Sequence, residues 1–447
     1  MKSSKKQKKE KKNAFSVLMS SKQSVEKKKR KKGISVFRRN KQRMNKMFPP
    51  KYKQVRLTGE LLVLVDAFEY AIPKLNNQES KVLNMLTHFH SDHYGGLDRK
   101  YSSNVPILCN EVTGNLVVQE LRVCKSRLQI LPMNTYIHLS NGVDVAMIDA
   151  NHCPGAAMAL FRVKTREEGT FRYILHTGDF RYSPKCHLTH PLLSSICLDT
   201  VYLDDTYCNE MYCFPNQNLV LRQVKDIALT ELSKYKRTLF LFGAYAIGKE
   251  KVFLSVVKSK PFKDSKIFVE KSRHRRFQLF NWSKSLLKRF TTNPSVSNIH
   301  VVTMGKCRAA GKYAEKWSKR YDAVVTFVPT GWNFSTTTMK KLPWFKCPIR
   351  KRHGTLQVLT YMVPYSEHSS FDELVQFIND FDPKNVISTV NVSSQDYNVK
   401  LLRNESLKRR VSGDYDNEEE RVIIHEEEEN NNNTTSDLGK LLSIVAD

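Results

Sequence analysis

A histidine-rich stretch at residues 87–97, reading Thr-His-Phe-His-Ser-Asp-His-Tyr-Gly-Gly-Leu, constrains this chain more than any other part of its sequence. Three histidines and one aspartate fall within it at close spacing: His88, His90, Asp92 and His93. Neutral imidazole is the commonest side-chain metal ligand and suits zinc. A mostly apolar run at 82–86 predicts a short buried strand before the cluster, and the glycine pair after it predicts a turn. We therefore expect the cluster on a loop that leaves a strand.

The ligand side chains on such a loop point in different directions. In a strand, His88 and His90 would share one face, whereas Asp92 and His93 lie past the strand end and can turn toward a second point nearby. This arrangement favours two adjacent metal ions over one closed structural site. The alternative is a polar loop in which the histidines occur by chance. Ligand chemistry at all four positions, framed by apolar and glycine residues, argues against that alternative.

Two more residues at strand ends extend the pattern. His152 follows a strand predicted at 143–148, and Asp179 follows another predicted at 173–175. A single histidine or aspartate in such a place is usually structural, but the strands of one sheet end on the same rim. Together with the first cluster, these residues predict a two-metal site bridged by Asp179. Metal ions roughly 4 Å apart in such a site activate water and hold the attacking and leaving oxygens.

Asp66 closes an apolar strand predicted at 61–65. It is either a turn former or a residue that orients a ligand histidine through a hydrogen bond. Because the histidine cluster follows it along the chain, we favour the second interpretation.

The net charge of +29 over 447 residues and a pI near 9.7 predict a polyanionic partner, most simply nucleic acid. Residues 1–50 carry +17, residues 401–447 carry −6, and residues 51–400 carry +18, so the part expected to fold is basic by itself. None of the nine cysteines is spaced as C-x-x-C, which argues against a zinc ribbon. Neither a secretory signal nor an apolar run of membrane-spanning length is evident, so we expect an intracellular protein with free thiols and no membrane partner.

Both ends of the chain differ from its middle in composition. Residues 1–50 are rich in lysine and poor in core-forming residues, so we expect a disordered basic tail. Its run Lys27–Lys32 predicts a nuclear localisation signal, and it is equally compatible with a polycation that raises non-specific affinity for nucleic acid. Residues 401–447, which include Glu426–Glu429 and an asparagine run, are expected to form a disordered acidic tail.

A glycine-containing stretch at 243–249 follows a strand predicted at 238–242 and matches the G-x-x-x-x-G-K part of a P-loop. Glu250 occupies the position where a P-loop needs serine or threonine, and its carboxylate would repel phosphate, so an ATPase is excluded. The Gly248 backbone and Lys249 are candidates for holding a phosphate of nucleic acid at a helix start. A simple strand-to-helix turn is an equal alternative.

The histidine stretch with Asp66, His152 and Asp179 resembles the four motifs of the metallo-β-lactamase superfamily, in order. The resemblance implies that a first metal takes the side chains of His88, His90, His152 and Asp179. It implies that a second metal takes the side chains of Asp92 and His93 and a share of Asp179.

Later residues resemble the β-CASP subgroup, metallo-β-lactamase proteins that cut nucleic acids. The stretch 203–208 resembles its motif A with Asp204 as the acid, and 364–370 resembles its motif B with His368. Val390 stands at motif C, where RNA-processing members carry a metal-binding histidine and the DNA-acting branch carries valine. Since valine cannot bind metal, one tightly bound zinc and a second, weaker divalent site are expected.

The implied fold class is α+β, a four-layer αβ/βα metallo-β-lactamase sandwich with an inserted α/β β-CASP domain. The expected boundaries are 51–210 for the first part of the metallo-β-lactamase domain, 211–345 for the insert and 346–400 for the closing part.

The whole motif set, spread over roughly 55–395, resembles the DNA cross-link repair nucleases, relatives of Artemis. This resemblance implies a nuclear, zinc-dependent 5′-to-3′ exonuclease that acts on DNA with a 5′-phosphate in interstrand cross-link and double-strand break repair. The catalytic residues it implies are Asp92, His93, Asp179, Asp204 and His368. His368, oriented by Asp204, would protonate the leaving oxygen or hold the phosphate. The candidates for binding the 5′-phosphate are Gly248, Lys249 and Ser366.

Two other functions stay open at this point. An RNA-processing endonuclease of the same fold is one, and Val390 argues against it. A non-catalytic DNA-binding scaffold is the other, and the complete set of ligand residues argues against it.

Overall fold

The computed structural model describes most of the chain, namely residues 48–73, 81–140, 142–331 and 349–412. The basic run Lys27–Lys32 and the acidic run Glu426–Glu429 both lie outside these ranges, and so does the nuclear localisation signal predicted from the first. Within the ranges, no helix combines the length and the apolar character needed to cross a bilayer.

Ten strands in the first part of the chain build most of two mixed sheets. They are β1 (Gln54–Arg56), β2 (Leu61–Val65), β3 (Lys81–Met85), β4 (Ile107–Cys109), β5 (Leu128–Ile130), β6 (Ile137–Ser140), β7 (Val143–Asp149), β8 (Ala157–Lys164), β9 (Phe171–His176) and β10 (Leu198–Leu203). The first sheet has the order β1-β2-β3-β4-β5. The second runs from β6 through β10 to a late strand, β18 (Asn385–Ser388), which pairs with β10 in parallel.

The two sheets pack face to face through an apolar core. Leu61 and Val65 of β2 point into this core, together with apolar residues of β7 and β8 from the second sheet. Leu62 and Leu64 belong to a separate cluster on the other face of β2. Successive side chains of a strand point to opposite faces, so a strand covered on both sides must be apolar throughout. This explains why all five residues of β2 are buried.

A third sheet is formed by the insert. Its strands are β11 (Thr238–Ala244), β12 (Ile267–Val269), β13 (Phe290–Thr291), β14 (Ile299–Thr303), β15 (Ala323–Pro329), β16 (Ile349–His353) and β17 (Leu356–Val363). The order is β13-β12-β14-β11-β15-β17-β16, and every pairing is parallel except that of β16 with β17. Parallel strands end on one edge of a sheet, so the loops that follow β11, β15 and β17 lie near one another.

Helices cover the sheets. Among the described residues they are α1 (Glu111–Leu116), α2 (Pro184–His187), α3 (Gln217–Lys234), α4 (Glu250–Val257), α5 (Lys271–Phe277), α6 (Lys284–Leu287), α7 (Met304–Arg308), α8 (Ala310–Ala314), α9 (Phe371–Phe381) and α10 (Gln395–Ser412). A single π-helical turn, Val117–Leu121, continues α1. Helix α9 begins with a capping box, in which the side chains of Ser370 and Glu373 each accept a backbone N–H of the other. The molecule is of the α+β class, as predicted.

The boundary predicted between insert and closing part at residue 345 is wrong. Strand β17 pairs in parallel with β15 over its whole length, and β16 pairs with β17, so residues 349–363 belong to the sheet of the insert. The chain returns to the first two sheets only after Val363. The apolar pattern of β17 predicts a strand correctly but contains nothing that specifies which sheet it joins.

The prediction of a disordered tail from residue 401 is also wrong for residues 401–412, which form the second half of α10. This helix is polar overall, but it buries Leu402 and Ser406 and packs on α9. Arg409 forms an ion pair with Asp372 of α9. A narrow buried stripe is enough to hold a charged helix against a folded neighbour, because most helix stability in proteins comes from packing.

We expect the docking of α10 to depend on one apolar contact. Replacing Leu402, which is 1% exposed, by alanine should lower the free energy of unfolding by about 3 kcal/mol, because a cavity is left in a closed interface. Leu407 on the same helix is 56% exposed, and its replacement by alanine should change stability by less than about 0.5 kcal/mol. Urea denaturation followed by circular dichroism measures both. Equal losses would contradict the packing of α10.

Candidate metal centre

Loops at the carboxyl ends of three strands bring four predicted ligands to one point. The Nδ1 atom of His90 lies 3.0 Å from His88 Nε2 and 3.2 Å from His152 Nε2. Asp179 Oδ2 lies 3.6 Å from His88 Nε2 and 3.8 Å from His152 Nε2. These residues follow β3, β7 and β9. The set that the resemblance assigned to a first metal is therefore assembled in space.

A second group meets the first at the carboxylate of Asp179. Its Oδ2 lies 3.3 Å from His93 Nε2 and 3.8 Å from His368 Nε2. Asp92 Oδ2 lies 3.8 Å from His93 Nε2, but its side chain is 79% exposed. Asp179 is thus shared between two groups of donors, and Asp92 is the least enclosed of the predicted ligands.

Each of the five rings is held by its other nitrogen, which is the arrangement expected of metal-binding histidines. The partners are Thr87 Oγ1 for His88 at 3.0 Å, the Ile247 carbonyl for His90 at 3.2 Å, Asp66 Oδ2 for His93 at 2.7 Å, the Glu367 carbonyl for His152 at 2.7 Å, and Asp204 Oδ2 for His368 at 2.8 Å. Such contacts fix the direction in which the free nitrogen points. The contact of His90 with Ile247 joins the first two sheets to the insert across the site.

Asp66 connects two strand ends below the histidine loop. Besides His93, its carboxylate accepts the backbone N–H and the hydroxyl of Thr87 at 2.9 and 2.7 Å. Its own backbone is left-handed with φ of 52°, and Lys53 donates to its carbonyl. Gly96 closes the loop beside it with φ of +95°, and a Cβ there would lie 2.4 Å from the Phe68 carbonyl oxygen. The second glycine of the pair is therefore required by a close backbone approach.

The charges of the site favour a bound cation. Burial lowers the pKa of His88 and His152 well below the ordinary value, so both rings are neutral, which is the form that binds metal. Burial also acts to lower the pKa of His93, but Asp179 and Asp66 outweigh it and raise the pKa well above the ordinary value. The carboxylates thus create a negative potential at the point where ring nitrogens converge. Imidazole nitrogens with shared carboxylate oxygens fit one or two divalent metal ions.

The donors lie in a cleft of about 910 Å³ between the insert and the first two sheets. Lys53, Asp92 and Val390 line it from one side, and Tyr245 and Arg276 line it from the insert. Arg276 also reaches across to Glu120 of the π-helical turn, with Nη2 2.8 Å from Oε2. The cleft is large enough for a nucleotide and carries basic side chains around the acidic centre.

The predicted phosphate site is only partly formed as expected. The Gly248 N–H donates to Glu250 Oε1 at 2.8 Å, and the Lys249 N–H donates to Glu367 Oε1 at 2.7 Å. Carboxylates accept from both N–H groups in this structure, so a phosphate would have to displace them, and its binding by the Gly248 backbone stays a prediction. The Lys249 side chain lines the cleft, although it is 6% exposed and donates to the Tyr365 carbonyl at 3.3 Å. Ser366 also lines the cleft, and its hydroxyl accepts the His368 N–H at 3.0 Å.

Two supporting residues were missed from the sequence. Asp205 accepts from Ser388 Oγ and from the backbone N–H of Val390, at 2.7 and 3.2 Å, and so holds the loop after β18. Arg181 is buried, donates to the Ser366 carbonyl at 2.8 Å and pairs with Glu373 of α9. Asp205 stands beside Asp204 at a strand end, and this doubled acid was the available signal. Nothing local indicated the partners of Arg181.

Comparison with known proteins agrees with this geometry. Residues 284–394 match the family described as DNA repair metallo-beta-lactamase. The DNA cross-link repair 1A protein of Gallus gallus is 34% identical over 345 residues, which cover 77% of this chain and 33% of that protein. The DNA cross-link repair protein SNM1 of Arabidopsis thaliana is 36% identical over 329 residues, covering 73% of this chain and 63% of that protein. This chain is a homologue of the DNA cross-link repair proteins.

The 5' exonuclease Apollo of Gallus gallus is similar as well, with 30% identity over 305 residues, 68% of this chain and 58% of Apollo. The chain spans about a third of the length of the cross-link repair 1A protein and less than two thirds of its plant relative. The metallo-beta-lactamase match and the histidine and aspartate donors together imply a divalent metal.

Asp66 should control metal affinity without touching the metal. Replacing it by asparagine, which tolerates the left-handed backbone, removes the charge that orients His93 and should weaken zinc binding about 10- to 100-fold. Isothermal titration calorimetry with zinc measures this. Asp226→Asn on the exposed face of α3 is the matched control and should bind zinc as the unaltered protein does. Unchanged affinity in the Asp66 variant would refute the orienting role.

Proposed function

We propose that this protein is a metal-dependent nuclease that hydrolyses phosphodiester bonds of DNA, acting from the 5′ end in interstrand cross-link and double-strand break repair. The observation that carries the proposal is the convergence of four histidine rings on the Asp179 carboxylate inside the cleft, with the ring of His90 beside two of them. The names of the relatives support DNA as substrate, and that of Apollo supports exonuclease action from the 5′ end. The same relatives support a nuclear location.

The metal we propose is zinc, because neutral imidazole and carboxylate are its usual ligands in hydrolases. Tight binding at the group formed by His88, His90, His152 and Asp179 is supported by the burial of the rings of His88 and His152. Weaker binding at the second group is supported by the exposure of Asp92 and by valine at position 390. We also propose the four-layer sandwich for the first two sheets, which pack on each other and carry helices on their outer faces.

Divalent metal ions in such a site activate water for attack and neutralise charge on phosphoryl oxygens. The residues of the chain orient the substrate and move the proton. His368 is held through Nδ1 by Asp204, so its Nε2 faces the centre and is placed to protonate the leaving oxygen. Burial by itself lowers the pKa of His368, but Asp204 and Asp179 outweigh it and raise the pKa to about 9. Lys249 and Ser366 are the proposed contacts of a 5′-phosphate.

We propose that the protein prefers DNA to RNA, because valine occupies position 390. This side chain is 48% exposed and lines the cleft beside Thr206 and Tyr207. Its position is fixed by the hydrogen bond of its backbone N–H to Asp205. An RNA-processing endonuclease of the same fold is the second candidate, and a non-catalytic DNA-binding scaffold is the third.

A nuclease assay on the full chain with zinc separates these candidates. The substrates are single-stranded DNA with a 5′-phosphate, the same strand with a 5′-hydroxyl, and RNA of matched sequence. We expect stepwise loss of nucleotides from the phosphorylated DNA only. Internal cuts or a preference for RNA would favour the second candidate, and the absence of cleavage would favour the third.

Variants of the metal centre test the assignment of catalytic residues. Asp92→Ala and His93→Ala should each abolish cleavage, because they remove donors from the second group. Affinity for DNA should change little, since the basic side chains that contact phosphates are left in place. Fluorescence anisotropy with labelled DNA measures binding beside the cleavage assay. Full cleavage activity in either purified variant would disprove the assignment.

A further inference from the structure

The cleft contains two large apolar side chains that are open to solvent. Among the described residues, the exposed large hydrophobic side chains are mostly scattered over the outer surface. Tyr245 and Val390 are the two of them that line the cleft. Tyr245 belongs to the insert and Val390 to the first two sheets, so one stands on each part of the chain. Because Tyr245 lines the same cleft as the metal donors, its exposed surface is open to a ligand that reaches them.

The tyrosine ring is held in place from below. Tyr245 directly follows β11 and is 48% exposed. The ammonium group of the buried Lys249 lies 5.5 Å from the centre of its ring and 5.3 Å from the ring of Tyr365. The ring of Tyr245 is therefore fixed on one side by a cation, while about half of the residue faces the cleft. Arg276 lines the same cleft, where its guanidinium is paired with Glu120.

A chemical role for the phenol is not supported. Burial of the hydroxyl end and the neighbouring Glu367 raise the pKa of Tyr245, and Arg308 offsets this only in part. The hydroxyl is therefore protonated at neutral pH and is neither a nucleophile nor a base. What the residue offers to a ligand is the flat apolar surface of its ring.

We propose that Tyr245 is a stacking platform for one nucleobase of the DNA strand, within a few nucleotides of the phosphodiester that is cut. The proposal rests on the nuclease function proposed above and deepens it. Single-stranded nucleic acid is commonly held by aromatic rings that stack on bases next to cations that contact phosphates, and such stacking tolerates any base. In this cleft Tyr245 offers the ring, and the nearby cations are Lys249 under the ring and Arg276, which is paired with Glu120. The subsite would hold the strand in place as successive nucleotides are removed.

This role can be tested by combining a substitution in the protein with removal of a base from the substrate. Single-stranded 5′-phosphorylated DNA is prepared with one abasic nucleotide at each of the first few positions, and kcat/KM is measured with the zinc-loaded full chain. One abasic position should lower kcat/KM about tenfold for the unaltered protein, because the stacked base is missing. Tyr245→Ala should lower kcat/KM about tenfold on intact DNA and make the protein insensitive to that abasic position.

Two further variants isolate the ring. Tyr245→Phe keeps the stacking surface and should behave as the unaltered protein on both substrates. Tyr397→Ala removes a tyrosine that is 68% exposed on α10 and lies away from the cleft. It should leave kcat/KM on intact DNA, kcat/KM on abasic DNA and the ratio of the two unchanged. If replacing any exposed tyrosine by alanine disturbed the protein, Tyr397→Ala would lower kcat/KM as well.

The possible results have distinct meanings. If each abasic position lowers kcat/KM by the same factor in the unaltered protein and in Tyr245→Ala, the base does not stack on this ring. The inference is then overturned while the nuclease function stands. A Tyr245→Ala variant that loses activity equally on intact and abasic DNA would show a purely structural role and would also overturn it. If the unaltered protein cuts no DNA at all, the proposed function fails and the subsite fails with it.

Discussion

The negative charge of Asp179 is the interaction on which the site depends. One carboxylate oxygen lies within 3.8 Å of nitrogens from four histidine rings, which are carried by three different loops. Burial lowers the pKa of two of these rings, His88 and His152, whereas neighbouring carboxylates, Asp179 among them, raise the pKa of the other two, His93 and His368. The strands that carry these loops end on a common edge, so loops that are distant in sequence meet at the Asp179 carboxylate. The insert closes the arrangement through the carbonyl of Ile247, which holds His90.

The ligand residues could be predicted because their signal is local. Each stands directly after an apolar strand, and the spacing of His88 and His90 is unusual enough to be recognised by itself. Helix α9 and the end of β2 at Asp66 were equally predictable, since a capping residue or a strand-end acid marks them. The structure brings these side chains together, and their roles as ligands stay predictions that metal titration tests.

The points that sequence reasoning missed share a cause, which is long-range packing. The sheet to which β17 belongs is decided by its pairing with β15, and α10 is held by contacts with α9. The Gly248 turn has the composition of a phosphate loop, but Glu250 and Glu367 occupy its N–H donors. For β17 and the Gly248 turn the local element was predicted correctly, whereas for α10 the helix itself was missed. In all three cases contacting residues that decided the structure lie elsewhere in the chain.

Strand β16 has a consequence for how molecules of this protein behave at high concentration. Among the residues that the structure describes, it is the outer strand of the third sheet, four of its five residues are exposed, and its centre is the run Arg350–Arg352. An open strand edge offers unpaired N–H and carbonyl groups to any other strand that approaches. Two copies of this edge would bring their positive charges into direct opposition, so the sheet resists growing by self-association. The same charges make that edge attractive to a polyanion.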